Sequence, residues 1–226
     1  MALDDLGTIY RDARLELTAF LSTCSPQAAS VQVPSTPGWS VKDVVAHIVG
    51  IADDAMNGRL TGPPSDAQTA GQVAVFADRT YEDVLAAWAT TGPVFEQALT
   101  GLGLSFSAAA MDVVTHHQDI RGALGRPGGR DTETARWAMA QTADRLRGLA
   151  NRGKVPPLRL VLDGNEELLG TDGPEVSLTT TSFELFRASL GRRSRAQLES
   201  MGWTGDSTAH VAVLPIFGPT PYDIVE

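Results

Sequence analysis

Residues 111–121 restrict the possible folds more than any other stretch, because they combine carboxylate and imidazole groups with apolar neighbours. In a helix each residue turns by about 100°, so Asp112, His116 and Asp119 would project from one stripe. Apolar residues flank that stripe: Val113, Val114 and Ile120. The stripe is therefore expected to be enclosed. Each unpaired buried polar group costs about 1–3 kcal/mol, so these groups need partners or a metal ion.

The composition excludes several classes of protein. The formal charge is −9 and the densest basic run covers only residues 191–195, which argues against a nucleic-acid partner. No apolar run approaches the ~20 residues of a membrane span. Cys24 is the single cysteine, so an internal disulfide is impossible. Residues 1–5 lack the basic and apolar regions of a signal peptide, and we expect a cytoplasmic protein.

Helical periodicity dominates the first two thirds of the chain. Helices are predicted over residues 4–22, 41–57, 81–100 with a kink at Pro93, 107–125 and 132–149. Ser40 and Thr80 are predicted N-caps, each with an aspartate three residues later, Asp43 and Asp83. Residues 23–38 are expected to form a loop with at most one short turn, and residues 58–79 an irregular segment. Four amphipathic helices with connecting loops predict a bundle.

The sequence pattern changes near residues 151–157. Strands are predicted within residues 158–165, 167–170 and 175–180, followed by a helix over 182–190 and a short helix from Ser194. The predicted fold class is mainly α with a small α+β part. A helical bundle would cover residues 1–152 and a small α+β domain residues 153–226.

Two histidines and one carboxylate are candidates for a metal site. His47 lies on the core face of its predicted helix, while Asp112 and His116 are four residues apart. Such a set from two helices of a bundle suits zinc or a similar divalent ion and leaves coordination positions open. Alternatively, His47 pairs with Asp112 or Asp119 in a buried polar network and His116 is a core histidine. The spacing alone leaves both interpretations open.

Two motifs resemble the mycothiol-dependent maleylpyruvate isomerase family. They are GWSVKDVVAHI at residues 38–48 and DVVTHHQDIR at residues 112–121, and residues 183–187, 191–198 and 203–206 are also similar to the family. The N-terminal module of that family is a DinB-like metal-binding four-helix bundle. The resemblance implies that His47, Asp112 and His116 are the metal ligands. The isomerase has glutamate where this chain has Asp112, whose side chain is one methylene shorter.

The resemblance also implies a function. A divalent metal, expected to be zinc, would hold the thiol of mycothiol, the low-molecular-weight thiol of actinobacteria, and promote its deprotonation. The chain would then be an isomerase or a thiol transferase acting on a small electrophile, as a monomer or homodimer. One alternative is a non-catalytic metal-binding or small-molecule-binding protein on the same scaffold. Another is a bundle without metal.

Asp119 and His117 lie beside the implied ligands. Asp119 is expected to act in catalysis by orienting a ligand histidine or a bound water. The alternative for Asp119 is a surface salt bridge with Arg121 or Arg126. His117 is expected to lie behind the ligands or on the surface.

Four arginines complete the candidate site. Arg192 and Arg193 are expected to act in catalysis and Arg195 in cofactor binding, by holding a carboxylate of the substrate or of the thiol. The alternative is a solvated basic turn. Arg79 is a further candidate for cofactor binding, on its position alone. His210, in the C-terminal segment, is expected to be structural.

Overall fold

The structure, a computed structural model, describes residues 5–60, 62–101, 106–171 and 173–226. The chain divides into two units, Met1–Gly129 together with Glu226, and Arg130–Val225. The sequence placed the boundary at residue 152, one helix later. The difference arises because helix α6, Glu133–Asn151, packs on helix α7, Ser182–Ser189, in the second unit.

The first unit is a helical bundle, as the sequence predicted. Its helices are α1 Leu6–Ser22, α2 Val41–Met56, α3 Asp66–Ala74, α4 Tyr81–Leu99 and α5 Ala108–Ala123, with a 3-10 turn at Pro26–Ser30. Helices α4 and α5 each pack against both α1 and α2. In the core, the Trp88 indole N–H donates to the Tyr10 hydroxyl over 3.1 Å. Among the described residues, no helix combines the length and the apolar character that crossing a membrane requires.

The predicted N-caps of α2 and α4 are confirmed. The Ser40 hydroxyl accepts the Asp43 N–H over 3.3 Å, and the Asp43 carboxylate accepts the Ser40 N–H over 2.9 Å. Thr80 and Asp83 make the same reciprocal pair at the start of α4. These bonds satisfy main-chain N–H groups that a helix leaves without partners in its first turn.

Helix α3 corrects the prediction of an irregular segment over residues 58–79. Ser65 and Gln68 form a capping box: the Ser65 hydroxyl accepts the Gln68 N–H over 3.3 Å, and Gln68 Oε1 accepts the Ser65 N–H over 2.9 Å. The helix is nine residues long and Gln72 is its one buried residue. Because that residue is polar, α3 lacks the stripe of apolar core residues on which a sequence-based helix prediction relies.

The second unit is α+β, as predicted. Its sheet has the strand order β2-β1-β3-β4, with β1 Leu158–Leu162, β2 Asn165–Leu169, β3 Val176–Thr180 and β4 Gly202–Thr204. The pair β1 and β3 is parallel, and the other two pairs are antiparallel. Short helices α8 Arg195–Glu199 and α9 Thr208–Val213 follow α7. The sequence predicted neither β4 nor α9.

Candidate metal centre

Helices α2 and α5 bring together the three side chains that the sequence proposed as metal ligands. His47 Nε2 lies 3.3 Å from Asp112 Oδ2, and His116 Nε2 lies 3.4 Å from Asp112 Oδ1. One donor atom from each residue can be chosen so that all three lie within 4.8 Å of one another. The two imidazole rings stand nearly perpendicular, with their centroids 5.5 Å apart. The three donor atoms therefore converge on one point.

The second nitrogen of each imidazole is held by an oxygen atom. His116 Nδ1 lies 2.9 Å from Asp119 Oδ2, and His47 Nδ1 lies 2.8 Å from Gln72 Oε1. A carboxylate or amide oxygen only accepts hydrogen bonds, so each Nδ1 carries a hydrogen and donates it. In the neutral ring the lone pair then lies on Nε2, which faces Asp112. This is the tautomer that a metal bound through Nε2 requires.

The cluster is strongly coupled electrostatically. Burial disfavours the charge on Asp112, but His116 and His47 outweigh it and hold the pKa of this carboxyl well below its usual range. Burial also opposes a charge on His116, yet Asp112 and Asp119 raise its pKa to about 9. The two carboxylates therefore favour a positive charge at this position, whether a proton or a metal ion supplies it.

The three candidate ligands fit a divalent metal, because one of their oxygen atoms is buried without a hydrogen bond among the described residues. Asp112 Oδ2 is buried and makes no hydrogen bond within the described part of the chain. An unsatisfied buried acceptor costs about 1–3 kcal/mol, which coordination to a cation would offset. Two imidazole nitrogens and one carboxylate oxygen form a donor set found in catalytic zinc sites, where a further position stays open.

Gln72, which the sequence analysis missed, binds His47 from helix α3. Its Nε2 donates to Asp54 Oδ2 over 2.7 Å while its Oε1 accepts from His47. Gly50 of α2 makes this approach possible, because a Cβ at that position would lie 2.5 Å from Gln72 Cβ. The Ser65 and Gln68 capping box is the sequence signal that would have revealed α3. Gln72 is one turn beyond Gln68 on that helix.

Asp119 and His117 occupy different environments. Asp119 is buried against His116, so a surface salt bridge is excluded for it. His117 is buried too, and its ring packs on Phe20 of α1 with a centroid distance of 5.5 Å. Arg121 Nε donates to His117 Nε2 over 2.9 Å. Burial, together with Arg121, lowers the pKa of His117 to about 3. His117 is thus a neutral packing residue of the bundle, and of the two positions expected for it the surface one is excluded.

Arg79 lies in the turn that follows α3, and its side chain is exposed. Its main-chain carbonyl accepts a hydrogen bond from Lys42 Nζ over 2.7 Å. This bond ties the turn to the first turn of α2. The structure gives the Arg79 guanidinium no contact with the three candidate ligands.

The three C-terminal arginines belong to the second unit. Arg193 is buried, and its Nη2 lies 2.8 Å from Glu184 Oε2. Arg195 is exposed and pairs with Glu199 one turn later in α8. Arg192 Nη1 donates to a main-chain carbonyl over 2.7 Å. Only Arg195 matches the alternative of a solvated basic turn, whereas Arg193 is part of the packed interior.

Part of the sequence matches the model of a known protein family. Residues 10–105 match the family model described as the mycothiol maleylpyruvate isomerase N-terminal domain. This part of the chain, less than half of its length, is similar to that family. The match to the mycothiol maleylpyruvate isomerase N-terminal domain includes His47 and Gln72. It ends before α5, so Asp112 and His116 stay candidate ligands, supported by their geometry and by the resemblance of their motif.

Two solved structures of a mycothiol-dependent maleylpyruvate isomerase match most of the chain. One matches with a TM-score of 0.51 and 14% sequence identity, over 83% of this chain and 88% of that chain. A histidine-to-alanine mutant matches with a TM-score of 0.48 and 13% identity, over 82% and 88% of the two chains. At this identity the first match shows the fold, a DinB-like bundle followed by a small α+β part. No curated protein sequence matches the chain.

Proposed function

We propose that the first unit binds one divalent metal ion, zinc by preference, through His47, Asp112 and His116. We further propose that the chain is a mycothiol-dependent isomerase acting on a small electrophile of the maleylpyruvate type. The observation that carries the metal site is the buried Asp112 Oδ2, which has no hydrogen bond within the described residues and lies beside His47 Nε2. The substrate and the thiol are proposed from the family of residues 10–105 and from the name of the structural neighbour.

The residues of the cluster have separate tasks in this proposal. Asp119 and Gln72 hold the two imidazoles by their Nδ1 atoms, which keeps both Nε2 lone pairs directed at Asp112. Asp112 and Asp119 together supply two negative charges to offset a dication. A bound divalent metal would lower the pKa of a coordinated thiol, providing a thiolate near neutral pH.

The chain itself offers no obvious thiol for this chemistry. Cys24, its single cysteine, follows α1, and its Sγ contacts the main-chain carbonyl of Phe20 over 3.4 Å and Arg126 Nη1 over 3.3 Å. None of these partners is a candidate ligand. The nucleophile is therefore proposed to come from a small thiol cofactor, for which mycothiol is the family's choice.

Several assignments stay predictions from the sequence. They are catalytic roles for Arg192 and Arg193, and cofactor-binding roles for Arg195 and Arg79. If Arg193 or Arg195 takes a substrate carboxylate, its present carboxylate pair has to open. A cytoplasmic location, a small-molecule partner and a monomeric or homodimeric state also stay predictions.

The test is turnover of maleylpyruvate by the zinc-loaded full chain, with and without mycothiol. We expect isomerisation that requires both metal and thiol, and that is lost in Asp112→Ala. His117→Gln is the matched control, because it changes the adjacent histidine but keeps an acceptor for Arg121; it is expected to retain turnover. A stable thioether product would instead identify a thiol transferase. Stoichiometric metal with no thiol-dependent reaction would indicate a binding protein, and either result would overturn the proposal.

A further inference from the structure

Four side chains form a hydrogen-bonded series that starts at His47 and leads away from the metal cluster. His47 Nδ1 donates to Gln72 Oε1 over 2.8 Å, and Gln72 Nε2 donates to Asp54 Oδ2 over 2.7 Å. Arg59 Nε donates to the other oxygen of Asp54 over 2.6 Å. His47 and Gln72 are 5% and 4% exposed, so water competes little for their hydrogen bond.

The direction of the Gln72 amide follows from its partners. An amide has one end that only donates and one end that only accepts, and an ionised carboxylate only accepts. The NH₂ end of Gln72 must therefore face Asp54, which leaves the oxygen for His47. Reversing the amide would place two acceptors together at Asp54 and turn the NH₂ toward His47 Nδ1, which could then only accept. Asp54 thus sets the amide direction, and the amide sets the tautomer of His47.

We propose that Gln72 is a positioning residue for metal binding, which fixes His47 in the tautomer whose Nε2 lone pair faces Asp112, with Asp54 fixing the amide. The proposal rests on the metal site proposed above. Gln72 performs for His47 the task that Asp119 performs for His116, but it adds no charge.

A purely structural role for Gln72 makes different predictions. Gln72 packs against Gly50 of α2, so it also fills space between α2 and α3. If filling space were its whole task, Gln72→Leu would be tolerated, because leucine is apolar and of similar size. Placing a carboxylate there would be harmful, because it would be buried beside His47. If Gln72 positions His47, Gln72→Leu is instead the harmful change, because leucine cannot accept the His47 Nδ1–H. A carboxylate at residue 72 can accept it and is then the better tolerated of the two.

The experiment compares Gln72→Leu with the double variant Gln72→Glu/Asp54→Asn. In the double variant, the glutamate at residue 72 accepts the His47 Nδ1–H, and the asparagine at residue 54 donates its NH₂ to that glutamate. The formal charge of the pair is conserved. Two quantities are measured: zinc affinity by competition with a chelator, and the tautomer of His47 in the metal-free protein by ¹⁵N NMR of the imidazole nitrogens. Chemical denaturation of each variant checks that it is folded.

We expect Gln72→Leu to weaken zinc binding by about 10–100-fold, the usual effect of removing a group that orients a ligand. Its His47 spectrum should lose the hydrogen on Nδ1, while the double variant keeps that hydrogen and an affinity close to that of the unmodified protein. An unchanged tautomer and affinity in Gln72→Leu would overturn the inference. The tautomer is read without metal, so this failure is distinct from failure of the proposed function, in which the unmodified protein binds no zinc.

Discussion

Replacement of Gly50 by alanine tests how closely α3 docks on α2. A Cβ at residue 50 would lie 2.5 Å from Gln72 Cβ and 2.6 Å from Gln72 Cγ. Carbon atoms in contact normally lie about 3.5–4.0 Å apart, so Gln72 or the whole of α3 must move by about 1 Å. The 2.8 Å bond between His47 and Gln72 does not survive such a shift.

The expected magnitude combines three effects. Alanine in place of glycine inside a helix stabilises it by about 1 kcal/mol. Overpacking costs about 1–3 kcal/mol, and leaving the His47 Nδ1–H without its partner costs about 1–3 kcal/mol more. Gly50→Ala should therefore lower the free energy of unfolding by about 1–5 kcal/mol. It should also weaken zinc binding, because His47 is no longer oriented.

The assay is denaturant unfolding at equilibrium, with Gly71→Ala as the matched control. Gly71 lies inside α3, and a Cβ there would meet no atom within 4 Å. Alanine at residue 71 should therefore raise stability by about 0.5–1 kcal/mol. If Gly50→Ala proves as stable as Gly71→Ala, with both above the unmodified protein, then α3 does not dock as the structure describes.

Three further substitutions test the bundle, the cluster and the second unit. Glu96→Ala should lower the free energy of unfolding by about 3–5 kcal/mol, because it leaves the mostly buried Arg14 without its 2.6 Å partner. Loss of the exposed pair between Arg195 and Glu199 should lower it by less than about 1 kcal/mol. Asp119→Leu should weaken zinc binding by about 10–100-fold in chelator competition. Burial lowers the pKa of His210, so the unfolded chain protonates first as the pH falls. The free energy of unfolding should decrease below pH 6.5, the unperturbed histidine value, and a pH series on His210→Gln should show a smaller decrease.

The candidate ligands could be predicted because their helices carry strong local signals. The caps at Ser40 and the periodicity of residues 41–57 place His47 on the core face of α2. Asp112 and His116 are four residues apart, so any helix places them side by side. Their convergence then requires only that α2 and α5 pack together, which a small bundle favours.

Gln72 could not be predicted in the same way. It is 25 residues from His47 in the chain, and its helix buries no apolar residue that would indicate the docking surface. The contact requires that residue 50 has no side chain, and a pattern of hydrophobic residues does not predict that requirement. The partner of His47 therefore emerges only from tertiary structure.

The boundary between the units shows a related limit. The periodicity of α6 predicted a helix correctly, but an amphipathic helix does not specify the surface that its apolar face covers. In the structure, Ala143, Leu146 and Ala150 join the hydrophobic core that contains Leu160 and Leu185. The helix thus belongs to the second unit.

The proposed metal centre is tested most simply by the metal stoichiometry of the purified full chain after zinc loading and removal of excess ion. We expect one zinc per chain in the unmodified protein and in His117→Gln, and almost none in His47→Ala or His116→Ala. One zinc per chain in all four proteins would place the metal elsewhere. No zinc in the unmodified protein would mean that the Asp112 cluster is a polar network and not a metal centre.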